Sequence, residues 1–166
     1  MKKRALSVIC LLFLALSGFS QDFAALANYS FAAKEDYKKA EDKALECATY
    51  LIGKPLDQSD PNRLYAVQFL LRWMEGTPDH SFMLDETAVK LSKTNNDLLG
   101  VYMAAMVRYA IQNPEQAKDA KATKLNTITS LLTYCENADN KVKLDKELKK
   151  MLEAKNKGQL KEYLKI

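Results

Sequence analysis

Leu98-Leu99-Gly100-Val101-Tyr102-Met103-Ala104-Ala105-Met106-Val107-Arg108-Tyr109-Ala110-Ile111 is apolar except at Gly100 and Arg108. The run is too short to cross a bilayer, which takes about 20 apolar residues, and it contains a charge. A helix that is apolar nearly all round must be covered on several sides by other elements. The stretch therefore predicts a central core helix over about 97–112, capped by Asn95-Asn96-Asp97. No strand-like alternation of comparable length occurs in the chain, so the fold class read from this stretch is all-α.

The flanking segments carry the same helical period. Tyr37, Ala40, Ala44, Ala48, Leu51 and Ile52 define a helix over about 33–53, with Cys47 on its inner face and Gly53 and Pro55 as its stop. Asp60 and Pro61 then supply an N-cap and a first helical position. The helix they open, about 61–75, is interrupted only by Gln68 and Arg72 within Leu64–Met74. Gly76-Thr77-Pro78 ends it. A third helix is expected from about Ser81 to Lys93, with Leu84, Ala88 and Leu91 inward and Asp85 and Glu86 at its positive N-terminal end. After the central helix, Asn113, Pro114 and Gln116 read as a cap and capping box for a helix reaching about Cys135. A sixth helix is expected over 142–154, with Leu144, Leu148, Met151 and Leu152 inward, and a short last turn around Leu160, Tyr163 and Leu164. Phe23, Leu26 and Phe31 imply that residues 21–32 pack rather than trail free. The expected architecture is thus about six helices in antiparallel pairs, either an irregular bundle or a short repeat array.

Three helix ends share an aromatic residue, four others, then Pro: Tyr50…Pro55, Trp73…Pro78 and Tyr109…Pro114. The last two also share Arg before the aromatic, Arg72 and Arg108, and an acid after Pro, Asp79 and Glu115; they lie 36 residues apart. Over about residues 37–137 this pattern resembles tetratricopeptide-like helical repeats, in which helix, turn and helix recur in the mid-thirties. The resemblance implies stacked helix pairs. The first interval, 23 residues, departs from that period.

At the N-terminus, Lys2, Lys3 and Arg4 precede the run Ala5–Leu16, apolar except for Ser7, and Gly18 and Ser20 stand at −3 and −1 of a cut before Gln21. That is the three-part pattern of a cleavable secretory signal, with an apolar run too short for a membrane span. Cys10 lies inside the run and follows Ile9, which does not fit a lipoprotein signal. The expectation is an exported protein, periplasmic or secreted, with residues 1–20 removed and 21–166 forming one helical domain.

Removing the signal removes three of 25 cationic residues and none of 21 acidic ones, leaving 22 against 21, net +1. The apparent basicity of the whole chain is therefore no argument for nucleic-acid binding. Charge is instead uneven: residues 141–166 hold nine Lys and four acids. Leu and Met recur beneath those lysines at core spacing, so they read as a solvated helix face.

The residue types present narrow the chemistry. His80 is the single histidine, no cysteine pair has zinc-type spacing, and the five glycines are scattered, so neither a metal site nor a phosphate loop nor any cofactor is indicated. Asp79, His80 and Ser81 are triad residue types, but adjacency in sequence is not triad geometry and no nucleophile elbow surrounds them. Cys47 and Cys135 remain after signal removal and are open to one disulfide or to two buried thiols. Arg72 and Arg108 each interrupt an apolar helix. A buried Arg needs an anion, either an internal carboxylate or a ligand, unless it snorkels to solvent. A groove lined by Arg72, Trp73, Arg108 and Tyr109 that holds a protein or peptide partner is the binding reading. The expected function is accordingly a non-enzymatic binding or scaffold module. The rival readings are a small exported hydrolase using His80 and a structural subunit of an envelope assembly, the latter implying a large exposed apolar patch.

Overall fold

The computed structural model describes residues 22–166. The expected signal segment 1–20, the expected cut before Gln21 and Cys10 lie outside the described residues. Within them the chain is all-helical, with no strand: α1 (Lys34–Lys39), α2 (Glu41–Gly53), α3 (Pro61–Gly76), α4 (Glu86–Thr94), α5 (Asn96–Gln112), α6 (Ala120–Glu136), α7 (Lys146–Asn156) and α8 (Leu160–Leu164). Short 3-10 turns occupy Ala24–Asn28, Gln116–Lys118 and Ala138–Asn140.

α5 is the axis of an irregular bundle. It packs against α2, α3, α4 and α6, and every residue from Gly100 to Val107 is buried. Gly100 permits the approach to α3, because a Cβ there would come within 2.9 Å of Val67 Cγ2. Two apolar clusters flank this axis. One joins Phe23, the inner face of α2, Phe69, Leu70 and Trp73 of α3, and Ala104 and Val107 of α5. The other joins Leu91, Leu98, Val101, Tyr102 and Met106 to Ile128, Leu131 and Leu132 of α6, to Leu148, Met151 and Leu152 of α7, and to Leu160.

Residues 22–32 do pack, as Phe23, Leu26 and Phe31 implied. Phe23 is buried, and its amide donates to Asn62 Oδ1 at 3.1 Å. Phe31 stacks on Tyr37 at 4.5 Å between ring centroids. The expected first helix is interrupted only at Ala40, between α1 and α2. Three other expectations are corrected. The helix expected from Val142 starts only at Lys146, after the Asp145 cap. Residues 81–85 are extended rather than helical: α4 starts only at Glu86, and Leu84, expected inward, is 50% exposed. The long helix after α5 is capped by Asp119, whose side chain accepts from the Lys121 amide, not by Asn113. Asn113 Nδ2 instead turns back to the Tyr109 carbonyl at 3.2 Å. Residues 114–119 thus form the link that carries the chain from the end of α5 to the start of α6.

Candidate functional site

The extended segment after α3 has a consequence for the surface. Asp79–Met83, with Tyr102, Met106 and Ala110 of α5, the link from Pro114 to Lys118, and the first turns of α6, line a cleft of about 590 Å³. Met83 is 78% exposed beside it. The segment is held in place from both ends. At its C-terminal end, Asp85 Oδ1 accepts from the Thr87 and Ala88 amides at 2.9 and 3.3 Å, the N-cap that starts α4. At its N-terminal end, His80 Nε2 lies 3.2 Å from Glu41 Oε2 at the start of α2, and the imidazole sits 5.6 Å from the Trp73 ring. Only 9% of the His80 side chain is exposed. Its acidic partner is Glu41; Asp79 and Ser81, the neighbours with triad chemistry, are both exposed.

A second polar group of the cleft is the cluster Asp85–Tyr102–Lys124. The Tyr102 hydroxyl donates to Asp85 Oδ1 at 3.1 Å, and Lys124 Nζ pairs with Asp85 Oδ2 at 3.0 Å. One carboxylate therefore ties α4, α5 and α6 together. Burial pushes the Asp85 pKa up, but Lys124, the Ala88 amide and the Tyr102 hydroxyl together outweigh it and hold the carboxyl below its ordinary value. The Tyr102 hydroxyl is driven the other way, above the ordinary phenol range, by burial first and by the Asp85 charge second. Sequence reading placed Asp85 at a helix start but assigned no role to Tyr102 or Lys124. Their spacing, 17 and 39 residues from Asp85, carries no local signal.

The four residues expected to line one groove are separated. Trp73 is fully buried, with its indole N–H donating to the Tyr37 carbonyl at 2.9 Å, so it lines nothing. Arg72 donates to the Leu26 and Tyr29 carbonyls at 2.6 and 3.1 Å and lies 5.5 Å from the Phe31 ring centroid. Its partners are backbone acceptors, neither a carboxylate nor an open site. Arg108 and Tyr109 do share a cleft, of about 290 Å³, between the end of α5 and the middle of α6, but neither Arg72 nor Trp73 reaches it. Arg108 donates to Ser130 Oγ at 3.0 Å, and burial lowers its pKa. Sequence reading passed over Arg63, which is buried and donates from one nitrogen to the Leu51, Lys54 and Pro55 carbonyls at 3.4, 3.2 and 3.2 Å. It closes the C-terminal end of α2.

Cys47 and Cys135, left open as a disulfide, stand as free buried thiols in the two different apolar clusters. Burial pushes each thiol up to about 12, so neither is a ready nucleophile. Among the described residues no three His, Cys, Asp or Glu side chains gather in a way that would hold a metal ion, and no helix is long and apolar enough to cross a membrane. Comparison with known proteins finds no matching family model, no matching curated protein and no matching solved structure.

Proposed function

We propose that this protein is an exported, non-catalytic binding module that takes an apolar side chain of a peptide or protein partner into the cleft lined by Phe82, Met83, Met106 and Ala117. The cleft itself carries the reading. At about 590 Å³ it falls inside the range of ligand pockets, about 300–1,000 Å³, and it combines an apolar floor of Phe82, Met83, Met106, Ala110 and Ala117 with polar and charged side chains. Methionine suits such a surface, since its unbranched, polarisable side chain refits to different partners. Export is supported by the charged, apolar and small-residue sequence of Lys2 to Ser20. The resemblance of the helix ends to tetratricopeptide-like repeats agrees with a scaffold that presents a concave face. His80 is 9% exposed on its side chain and packs against the Trp73 and Phe82 rings, so it offers little surface to a substrate and serves as part of the wall.

An array of short peptides bearing Leu, Phe or Trp tests this, probed with the protein and with Ala117→Trp, which fills the cleft. Selected peptides should bind the wild type, and the filled variant should lose about ten-fold or more in affinity with its melting temperature retained. Peptide binding indifferent to Ala117→Trp would refute the site. Turnover of an ester or peptide that vanishes in His80→Ala would establish the hydrolase instead.

A further inference from the structure

Three arginines lie among the described residues, and two of them have several acceptors each. Arg63 reaches three carbonyls from one nitrogen, and Arg72 reaches two carbonyls and an aromatic face. Arg108 is different. It is half-buried, its one hydrogen bond goes to the Ser130 hydroxyl, and it takes part in no ion pair among the described residues. A guanidinium carries five N–H donors and cannot shed its charge, so a partly desolvated one with a single neutral partner is incomplete.

Its surroundings point to what completes it. Ser130 accepts from Arg108, which leaves the Ser130 hydroxyl proton free to donate into the same space. Tyr109, Thr129 and Gln112 line the cleft and bring further hydroxyl and amide donors. Two of the lining's donors are already engaged: Asn126 Nδ2 donates to the Ala122 carbonyl, and the Thr133 hydroxyl donates to the Thr129 carbonyl. The next cation, Lys155, reaches Thr133 Oγ1 at 3.1 Å but is neutralised by Glu136 at 2.5 Å. The cleft therefore offers one uncompensated positive charge with several neutral donors around it.

We infer that the Arg108 cleft is a binding site for a single carboxylate, held by the guanidinium and by the Ser130 hydroxyl. One charge matches a carboxylate and falls short of a phosphate dianion, and the planar fork of Arg fits a carboxylate in a bidentate manner. The same chemistry occurs at a peptide C-terminus and in a free organic acid. The site is separate from the cleft lined by Met83 and Met106 and does not depend on it.

The test is a titration followed by ¹⁵N NMR with four probes: acetyl-Ala-Ala, its C-terminal amide, propionate and inorganic phosphate. Acetyl-Ala-Ala should saturate shifts at Arg108, Thr129 and Ser130 while its amide does not. Arg108→Gln should weaken it about ten- to a hundred-fold, and Ser130→Ala about three- to ten-fold. Arg108→Lys, which keeps the charge but not the fork, should fall between wild type and Arg108→Gln. The free protein should melt no lower as Arg108→Gln, because that variant removes a cation with no anionic partner. Tighter binding of acetyl-Ala-Ala than propionate identifies a peptide C-terminus, and equal binding identifies a free acid; both support the site. Equal binding of the amide, phosphate binding tighter than either carboxylate, or affinity unchanged in both Arg108→Gln and Ser130→Ala overturns it.

Discussion

The two apolar clusters flanking α5 both border buried or half-buried polar groups, and they accommodate them by different means. On the side of α1–α3 the core is aromatic: Phe23 meets Tyr50 at 5.0 Å, Tyr29 meets Phe69 at 5.6 Å and Phe31 meets Tyr37 at 4.5 Å. Its polar anchors, Arg63, Arg72 and Trp73, donate to backbone carbonyls. On the side of α4 and α6–α8 the core is chiefly Leu, Ile and Met, and the polar links are lysine–carboxylate pairs, Lys124–Asp85, Lys155–Glu136 and Lys90 with Glu86 and Glu147. The difference follows from how much regular structure each side has. Residues 22–33 have little helix of their own, and Arg72 donates to the Leu26 and Tyr29 carbonyls there; Trp73 and Arg63 do the same for Tyr37 in α1 and for the carbonyls at the end of α2. The helices of the other side satisfy their own carbonyls and are started by Asp85, Asp119 and Asp145 side chains, which leaves charges free to pair between helices. Carbonyl acceptors neither titrate nor attract counterions; lysine–carboxylate pairs do both.

Cys47 and Cys135 make the comparison measurable, since each thiol is buried in one cluster. In a Cys10→Ser background, single-thiol variants labelled under native conditions report the opening of each side separately. Neither should react until its side opens. The largest effect is expected for Trp73→Ala, which removes the largest buried side chain and leaves the Tyr37 carbonyl to the Ala40 amide. It should cost about 3–5 kcal/mol in urea unfolding and expose Cys47 before Cys135. Equal exposure of both thiols would mean that α5 couples the sides into one cooperative unit. Arg72→Met comes next, at about 1–3 kcal/mol, because it strands the Tyr29 carbonyl and leaves the Leu26 carbonyl only the Tyr29 amide. Hydrogen exchange should rise in residues 22–32 and stay level in α6 and α7.

Asp85→Asn should cost about 1–2 kcal/mol, from a weakened cap and a stranded Lys124, and should favour Cys135 exposure. Its pH dependence has a definite sign. The folded pKa of Asp85 lies below its unfolded value of about 4, so its contribution is complete above that value and is lost as pH falls through the lower, folded one. The wild type should lose stability over that acid window, and Asp85→Asn should show a flatter acid limb. An unchanged limb would assign the acid sensitivity elsewhere. The smallest effect belongs to Glu136→Gln, about 0.5 kcal/mol, since the Lys155–Glu136 pair is partly exposed. That loss should disappear in 1 M salt, whereas the effect of Arg72→Met should persist.

Much of this contrast could be read before the fold was known, and some of it could not. α3, α5 and the inner face of α7 follow from apolar period and caps, because those signals lie within a turn of the residues they govern. The start of α6 does not. Asn113-Pro114 and Asp119-Ala120 are both good helix starts by local chemistry, and the chain uses the second. Leu84 keeps helical spacing with Ala88 and Leu91 yet lies in an extended segment, because Asp85 rather than a residue near 81 caps α4. Arg72 and Arg108 were legible as anomalies, but not their fates, and Arg63 was not legible at all. Arg72 and Arg108 look alike in sequence, each beside an aromatic at a helix end, yet one is quenched by carbonyls 43 and 46 residues away and the other lies open in a cleft.

The sequence by itself determined the all-helical class, the central place of Leu98–Ile111 and the signal-like character of residues 1–20, since period, caps and composition act over short distances along the chain. Only the tertiary structure decided which polar side chains are satisfied and which remain available. It brought Asp85, Tyr102 and Lys124 together, sent Cys47 and Cys135 into separate clusters, buried Trp73 and left Arg108 with one neutral partner. Those outcomes depend on contacts between residues distant in sequence, and the strength of a charge or hydrogen bond depends on what surrounds it in space.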